Sequence, residues 1–388
     1  MLGCTMSLPL TQPNADAAFT WYAEGQTFFA AMLAAIAAAR VSVRLETYIY
    51  EAGGVGARVA AELEAAARRG VRVQVLVDAF GSSALPGSFW DSLRAAGGEA
   101  RVFNPVRLNW FAIRNHRKLL VCDDAVALLG GFNIAPNYEG NGVTHGWRDV
   151  AVQMIGALAA ALGETFDRLF VRASFEHKRW LRFRRSGEKL AVSTDGCQLL
   201  LSGPGRGGSP LERALRQDLQ RAATAQLMVA YFLPSRRLRY ALTRMARRGG
   251  AVKLMLPGET DIALSKLAAE SFYRRLLGAG IHIMEYQPQI LHAKLFIIGA
   301  AVYVGSSNLD PRSLKLNYEV MVRLEDPAVA AAAREIFATC QTHCREVTRA
   351  EWRHGRSLWT RLKQRFARFV LARLDPWISL AQWRALPD

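Results

Sequence analysis

Two α/β domains related by a pseudo-two-fold axis are the architecture this sequence predicts. Its 388 residues exceed what one ordinary core encloses. Short apolar strands alternate with helical stretches, as in α/β chains with largely buried sheets. The pattern is written twice, with a long period. Hydrophobic residues make up 51% and charged residues 21%, so each copy has material for a core and neither reads as disordered.

The first copy runs over residues 18–172. An alanine-rich stretch, residues 28–39, is far shorter than the roughly 20 residues of a spanning helix and reads as a buried helix. Strands are expected over residues 41–50, 71–77 and 100–103, with helices over 56–69 and 88–95 between them. A His-x-Lys segment follows and ends at Gly130-Gly131-Phe132-Asn133. The second copy, residues 199–345, repeats this order. Its strands are expected over 226–232, 252–256 and 281–286, its helices over 236–247 and 262–277, and its His-x-Lys segment ends at Gly305-Ser306-Ser307-Asn308. Even Ala67-Arg68-Arg69-Gly70 is echoed by Ala246-Arg247-Arg248-Gly249. The domains are therefore placed at residues 1–175 and 199–348. A basic, aromatic linker, 176–198, carries Trp180, Phe183, Arg184 and Arg185. A basic tail spans 349–388.

A net charge of +17 favours a polyanionic partner, and charge alone does not separate nucleic acid from anionic lipid. The five cysteines are odd in number and form no disulfide framework. Cys340, His343 and Cys344 lie close together, but no fourth ligand completes a site, so no metal is expected. The N-terminal residues lack the basic-then-apolar pattern of a signal peptide, which predicts a cytoplasmic, soluble or peripheral protein.

The chemistry lies in the repeated motif. His116 and Lys118, like His292 and Lys294, are two residues apart and precede apolar runs, so each pair faces one side of a strand. A lone His-x-Lys is ordinarily surface or core. Two copies, each followed by a Gly-small-x-Asn turn, form a set suited to phosphate: lysine supplies charge, asparagine an N–H, histidine the reactive nitrogen. Among the other histidines, His145 alone stands beside chemistry-bearing residues, Trp147-Arg148-Asp149.

These segments resemble the paired His-x-Lys-x4-Asp motifs of the phospholipase D superfamily. His116, Lys118 and Asp123 with Gly130, Gly131 and Asn133 match the first, and His292, Lys294, Gly305, Ser306 and Asn308 the second. The residues 46–50, Glu-Thr-Tyr-Ile-Tyr, and 305–313 are similar to those of bacterial cardiolipin synthases of the B type, which lack transmembrane helices. One position departs: Gly299 stands where the second motif would place Asp, a residue that supports the fold around the motif, so altered local stability is expected there.

The resemblance implies two phospholipase D-like α/β domains with one active site at their interface and no cofactor. One histidine attacks phosphorus to give a phosphohistidine, and the other protonates the leaving alcohol. By analogy His116 is the nucleophile and His292 the general acid/base. Lys118, Lys294, Asn133 and Asn308, with Gly131 and Ser306, surround the phosphate. Glu319 is expected to orient His292, and Asp149 to orient His116. The implied reaction joins phosphatidylglycerols into cardiolipin at an anionic membrane surface, with phosphatidylethanolamine as a further candidate lipid. The implied location is peripheral, on the cytoplasmic face of the bacterial inner membrane. No nucleic-acid partner is expected, and the oligomeric state stays open. A phospholipase D-type hydrolase releasing phosphatidic acid and a metal-independent nuclease are the competing activities, and a non-catalytic lipid-binding module is a further one. In the tail, Leu358, Leu362, Phe366, Phe369 and Val370 recur near helical spacing among arginines, as in helices that lie in a membrane interface.

Overall fold

The computed structural model describes residues 18–105, 113–174, 189–194, 197–205, 207–354 and 357–374. Its first domain contains β1 (Phe19–Tyr22), α1 (Gly25–Ala38), β2 (Ser42–Thr47), α2 (Val55–Arg68), β3 (Arg72–Asp78), α3 (Asp91–Ala95), β4 (Glu99–Phe103), β5 (Leu119–Cys122), β6 (Val126–Gly130), β7 (Ala151–Ile155) and α4 (Ala157–Val171). The second opens with β8 (Ala191–Thr194), β9 (Cys197–Ser202), α5 (Pro210–Arg221), β10 (Thr224–Val229), α6 (Arg236–Arg247), β11 (Ala251–Pro257), α7 (Ala263–Leu277) and β12 (His282–Tyr286). It continues with β13 (Lys294–Ile298), β14 (Ala301–Gly305), α8 (Pro311–Lys315), β15 (Glu319–Glu325), α9 (Pro327–Gln341), β16 (Cys344–Val347), α10 (Arg349–His354) and α11 (Leu358–Phe369).

The repeat is real at the level of topology. The first sheet has the order β1-β7-β6-β5-β2-β3-β4, and the second contains β9-β15-β14-β13-β10-β11-β12 in the same relative order, with β8 and β16 added at its edges. In each, three parallel strands joined through helices meet an antiparallel run that carries the motif. Each parallel connection needs a crossover, which α2 and α3 supply in one half and α6 and α7 in the other. Local signals set the helix starts in the second half: Ser209 Oγ accepts from Glu212 N with Pro210 next in line, and Ser235 and Asp326 cap α6 and α9. The segment expected as linker is partly sheet, because β8 pairs with β9. Trp180, Phe183, Arg184 and Arg185 lie outside the described residues.

Three clusters divide the core. One packs α1 and α2 on the outer face of the first sheet, and another packs α5, α6 and α7 on the outer face of the second. The third runs through both domains, with Leu129, Val152 and Phe166 in the same cluster as Val304, Val322 and Phe337. The two sheets thus share one buried interior, and this sets the motif ends of their strands against each other. Burial on both faces, although β5 and β13 are antiparallel to their neighbours, accounts for their near-continuous apolar runs.

The tail helix packs with its small and polar side inward. Ala367 is fully buried, Gln364 Nε2 donates to Glu270 Oε2 on α7 at 2.9 Å, and Arg368 lies over the Phe272 ring.

Candidate active site

His116 and Lys118 stand just before β5, and His292 and Lys294 at the start of β13. Strand alternation sends residue 117 the other way. There Arg117 is buried, with Nε 2.7 Å from the Glu46 carboxylate, while the second half fills the same place with Ala293.

The backbone carries each histidine into the opposite domain. His116 N–H donates to Tyr318 O at 2.9 Å, and Tyr318 N–H donates to Arg114 O at 2.9 Å. Symmetrically, His292 N–H donates to Arg148 O at 2.7 Å and Arg148 N–H to Ile290 O at 2.9 Å. Tyr318 and Arg148 each precede a carboxylate, so these bridges fix which acid meets which imidazole. His116 Nδ1 lies 3.0 Å from Glu319 Oε1, and His292 Nδ1 lies 2.7 Å from Asp149 Oδ2. This corrects the expected pairing. Glu319 serves the histidine of the first domain and Asp149 that of the second, because each carboxylate crosses the interface instead of folding back on its own half.

With a carboxylate at Nδ1, Nε2 is the nitrogen of each ring left for chemistry. Lys294 Nζ is 2.7 Å from Nδ1 and 3.1 Å from Nε2 of His292, and an atom that near to both nitrogens lies over the ring instead of in its plane. Lys118 Nζ donates to His116 O at 2.7 Å. Burial and the neighbouring Lys294 push the Lys118 ammonium down to about 7, and burial takes Lys294 down to about 8. Burial, with Lys118 and Lys294 adding to it, lowers His116 well below the ordinary imidazole range. Burial and Lys294 take His292 down to about 4 against the pull of Asp149. The two acids differ. Burial pushes Glu319 up to about 8, whereas at Asp149 burial is outweighed by Lys294, His292 and the Val150 N–H, so its carboxyl sits below the usual range.

The glycine-containing turns support these acids. A Cβ built on Gly131 would fall 2.1 Å from Asp149 Oδ1, so glycine there makes room for the carboxylate. The corresponding residue of the second half, Ser306, donates from Oγ to Glu319 Oε2 at 2.5 Å and accepts from Val320 N at 3.0 Å. Gly131 and Ser306 were expected beside phosphate, and they hold the His-bound acids in place. Asn133 accepts from Ile49 N at 3.1 Å and donates to Tyr138 Oη at 2.7 Å, leaving one amide hydrogen uncommitted among the described residues. Asn308 accepts from Tyr231 N at 3.3 Å, with its Nδ2 uncommitted among the described residues.

Asp123, which the motif groups with His116 and Lys118, stands at the far end of β5 from them. At φ +54° its carboxylate accepts the backbone N–H groups of Arg40, Val41 and Ser42 at 2.8–2.9 Å and ties down the start of β2. Gly299 occupies the matching turn at φ +60°, and its N–H donates to Thr224 O as that of Asp123 does to Ser42 O. The second half therefore keeps the turn and lacks the carboxylate. His145 lies on an exposed loop, bonded to Thr144 Oγ1 at 3.0 Å. Cys344 Sγ donates to Cys340 O, and Arg148 Nε to Cys340 Sγ, each at 3.2 Å.

Aromatic side chains wall the site. Ring centroids of Tyr138, Trp147 and Tyr231 lie 5.3, 5.6 and 6.3 Å from that of His292, and Tyr48 lies edge-on to His116 at 5.0 Å. Tyr138 and Tyr231 carry no motif spacing that would have singled them out. Tyr48 sits in the phrase 46–50, where a tyrosine just past a buried strand was the available signal.

A protein-family model described as "Cardiolipin synthase, PLD-like domain" matches residues 32–143 and 215–341, one span in each half. The chain is 30% identical over 366 residues to a cardiolipin synthase of Clostridium perfringens, covering 90% of this chain and 75% of that protein. It is 31% identical over 330 residues to cardiolipin synthase B of Escherichia coli K12, covering 82% and 80%. Among solved structures, phosphatidylserine synthase of Haemophilus influenzae superposes with a TM-score of 0.71 at 14% identity over 95% of this chain and 96% of its own. Polyphosphate kinase of Porphyromonas gingivalis superposes with a TM-score of 0.58 at 14% identity over 86% and 49%. The likeness to these two is one of fold. On the family match and the identity across most of its length, this chain belongs to the cardiolipin synthase family of phospholipase D-like enzymes.

Proposed function

We propose that the chain transfers phosphatidyl groups between lipid alcohols through a phosphohistidine, joining two phosphatidylglycerols into cardiolipin with release of glycerol. The observation that carries this is the crossed pair of imidazole–carboxylate contacts, His116–Glu319 and His292–Asp149, around two buried lysines.

The two acids are unequal, and this favours His292 as the acid. Asp149 is held ionised and stabilises positive charge on His292, whereas Glu319, pushed up to about 8, supports an imidazolium at His116 less well. His116 is then the neutral nucleophile, and His292, held down to about 4 by burial and Lys294, becomes the acid once the anionic phosphodiester offsets the charge of Lys294. His116 Nε2 attacks phosphorus, the P–O bond to glycerol breaks, and the glycerol oxygen takes the proton of His292. In the second half-reaction His292 takes a proton from the hydroxyl of another phosphatidylglycerol, that oxygen attacks, and the P–N bond breaks. The bound phosphodiester restores full charge to Lys118 and Lys294, which meet its non-bridging oxygens together with Asn308 Nδ2 and the free amide hydrogen of Asn133. We assign no step to a metal.

Tyr48, Tyr138, Trp147 and Tyr231 crowd the reacting rings, which favours a lipid alcohol over water as the acceptor. The enzyme works at an anionic membrane surface as a peripheral protein, on the cytoplasmic face of the inner membrane. No helix among the described residues is long and apolar enough to cross a membrane. The test is mass spectrometry of products from phosphatidylglycerol vesicles, with and without phosphatidylethanolamine. Cardiolipin with glycerol is expected. Phosphatidic acid instead would make the enzyme a hydrolase, and no lipid product would overturn the reading.

A further inference from the structure

The outward side of α11 is built the wrong way round for a helix that ends its contacts at the protein. Leu358, Trp359, Leu362, Phe366 and Phe369 are between 53% and 81% exposed, while the residues it buries are Gln364 and Ala367. Four of the five recur along one stripe, at 358, 362, 366 and 369. Exposed apolar side chains scattered singly need no explanation, but a continuous ridge of this size marks a surface that meets something apolar. Cations flank the ridge: Arg361, Lys363 and Arg365 are on the same helix, and Lys363 Nζ lies 5.6 Å from the Trp359 ring centroid.

The charge continues beside it. Arg239 of α6 and Arg368 of α11 both lie over the Phe272 ring, at 4.4 and 5.6 Å, so α6 and α11 flank one point of α7. On the other side of α6 a groove of about 400 Å³ is lined by Arg216, Arg236, Arg237 and Arg244 with the exposed Tyr240. Burial and the nearby Arg368, Arg275 and Arg236 bring Arg239 down to about 10, the mark of cations crowded without enough counter-charge. An apolar ridge bordered by crowded arginines complements an interface that is apolar below and anionic above, as an acidic bilayer is. The start of α7 reaches the active site: Tyr231, beside His292, donates from Oη to Asp261 at 2.8 Å, and the exposed Ile262 follows just before α7.

We propose that α11, with the arginines of α5 and α6, is the surface by which this chain docks on an anionic bilayer, seating the α11 ridge among the acyl chains. The proposal rests on the reading that the substrates are membrane phospholipids, and the experiment separates the two. Full-length wild type and Leu362→Glu/Phe366→Glu are compared for co-sedimentation with phosphatidylglycerol and phosphatidylcholine vesicles. Turnover is measured on phosphatidylglycerol vesicles and on a short-chain, monomeric phosphatidylglycerol. Both substitutions are at exposed positions, and thermal melting checks the fold. Wild type is expected to bind phosphatidylglycerol vesicles in preference to phosphatidylcholine. The variant should bind roughly hundredfold more weakly, the effect of keeping two large apolar side chains out of an apolar phase. Its turnover should fall on vesicles and stay unchanged on the monomeric lipid. Vesicle binding equal to wild type, or equal loss on both substrates, would overturn the proposal. So would a wild-type dimer that the variant turns into monomer, since the ridge would then be covered by a second copy. Absence of product from wild type on either substrate would instead overturn the functional reading, while the binding result would stand.

Discussion

His292 Nδ1 and Asp149 Oδ2 are 2.7 Å apart although they belong to different domains. His116 and Glu319 repeat the relationship in reverse. Neither imidazole has a carboxylate partner until the two halves have docked, so the site is a property of the interface. Inter-domain backbone bonds at Arg148 and Tyr318, one residue ahead of each acid, hold both contacts in register.

If His292 is the proton donor, its need depends on the leaving group. His292→Ala and Asp149→Asn should lower kcat on phosphatidylglycerol by roughly a hundredfold or more. An analogue that releases p-nitrophenolate, which departs without a proton, should recover most of that loss in both variants. His116→Ala should stay inactive on either substrate. Release of p-nitrophenolate measured in a stopped-flow instrument checks this, and rescue of His116→Ala instead of His292→Ala would exchange the two roles.

Gly131→Ala should act through Asp149. A methyl group 2.1 Å from Oδ1 must displace the carboxylate. The variant is expected to lose activity about as Asp149→Asn does, and the double variant should be little worse than either, because the two changes remove one contact. Kinetics of the three variants test it, and additive losses would place Gly131 in a separate role.

The sequence showed the repeat, the strands and the two histidines because each rests on local pattern: period-two alternation, helical spacing, a motif written twice. Pairing the acids was another matter. Asp149 and Glu319 were picked out, yet which imidazole each would meet depends on docking of the halves, which no local pattern encodes. Gly131 and Ser306 sit in the motifs and so read as members of a phosphate site, and three-dimensional contacts turn them toward the carboxylates. Tyr138, in a short helical turn, and Tyr231, just past β10, have no sequence signature, since a single aromatic residue is as often core as site.

Asp123→Ala should cost stability, not chemistry. One carboxylate serving three backbone donors is worth ~1–3 kcal/mol. Burial opposes its ionisation, but the backbone N–H groups of Ser42, Arg40 and Val41 win, so its folded pKa is depressed. A depressed carboxyl gives stability that is present above its unfolded pKa and lost as pH falls through the folded one. The difference in melting temperature between wild type and variant should therefore shrink as pH drops below about 4. Turnover per folded molecule should stay near that of wild type.

Glu319 has the opposite dependence. Its folded carboxyl is pushed up to about 8 from an ordinary 4.5. Between those values the folded state keeps a proton the unfolded chain has released, so this contribution is full at low pH and is lost as pH rises through about 8. Glu319→Gln has no proton to lose there. Measured by denaturant unfolding, its stability relative to wild type should increase from about pH 5 to about pH 9. A constant difference would mean that Glu319 is ionised throughout.

The most direct test of the phosphohistidine is to trap it. Wild type, His116→Ala and His292→Ala are quenched during turnover of phosphatidylglycerol, digested under mildly basic conditions that preserve phosphoramidates, and mapped by mass spectrometry. The account predicts a phosphatidyl adduct on His116 in wild type, its accumulation in His292→Ala with the p-nitrophenyl substrate, and none in His116→Ala. An adduct on His292, or active enzyme with no adduct on either histidine, would contradict it.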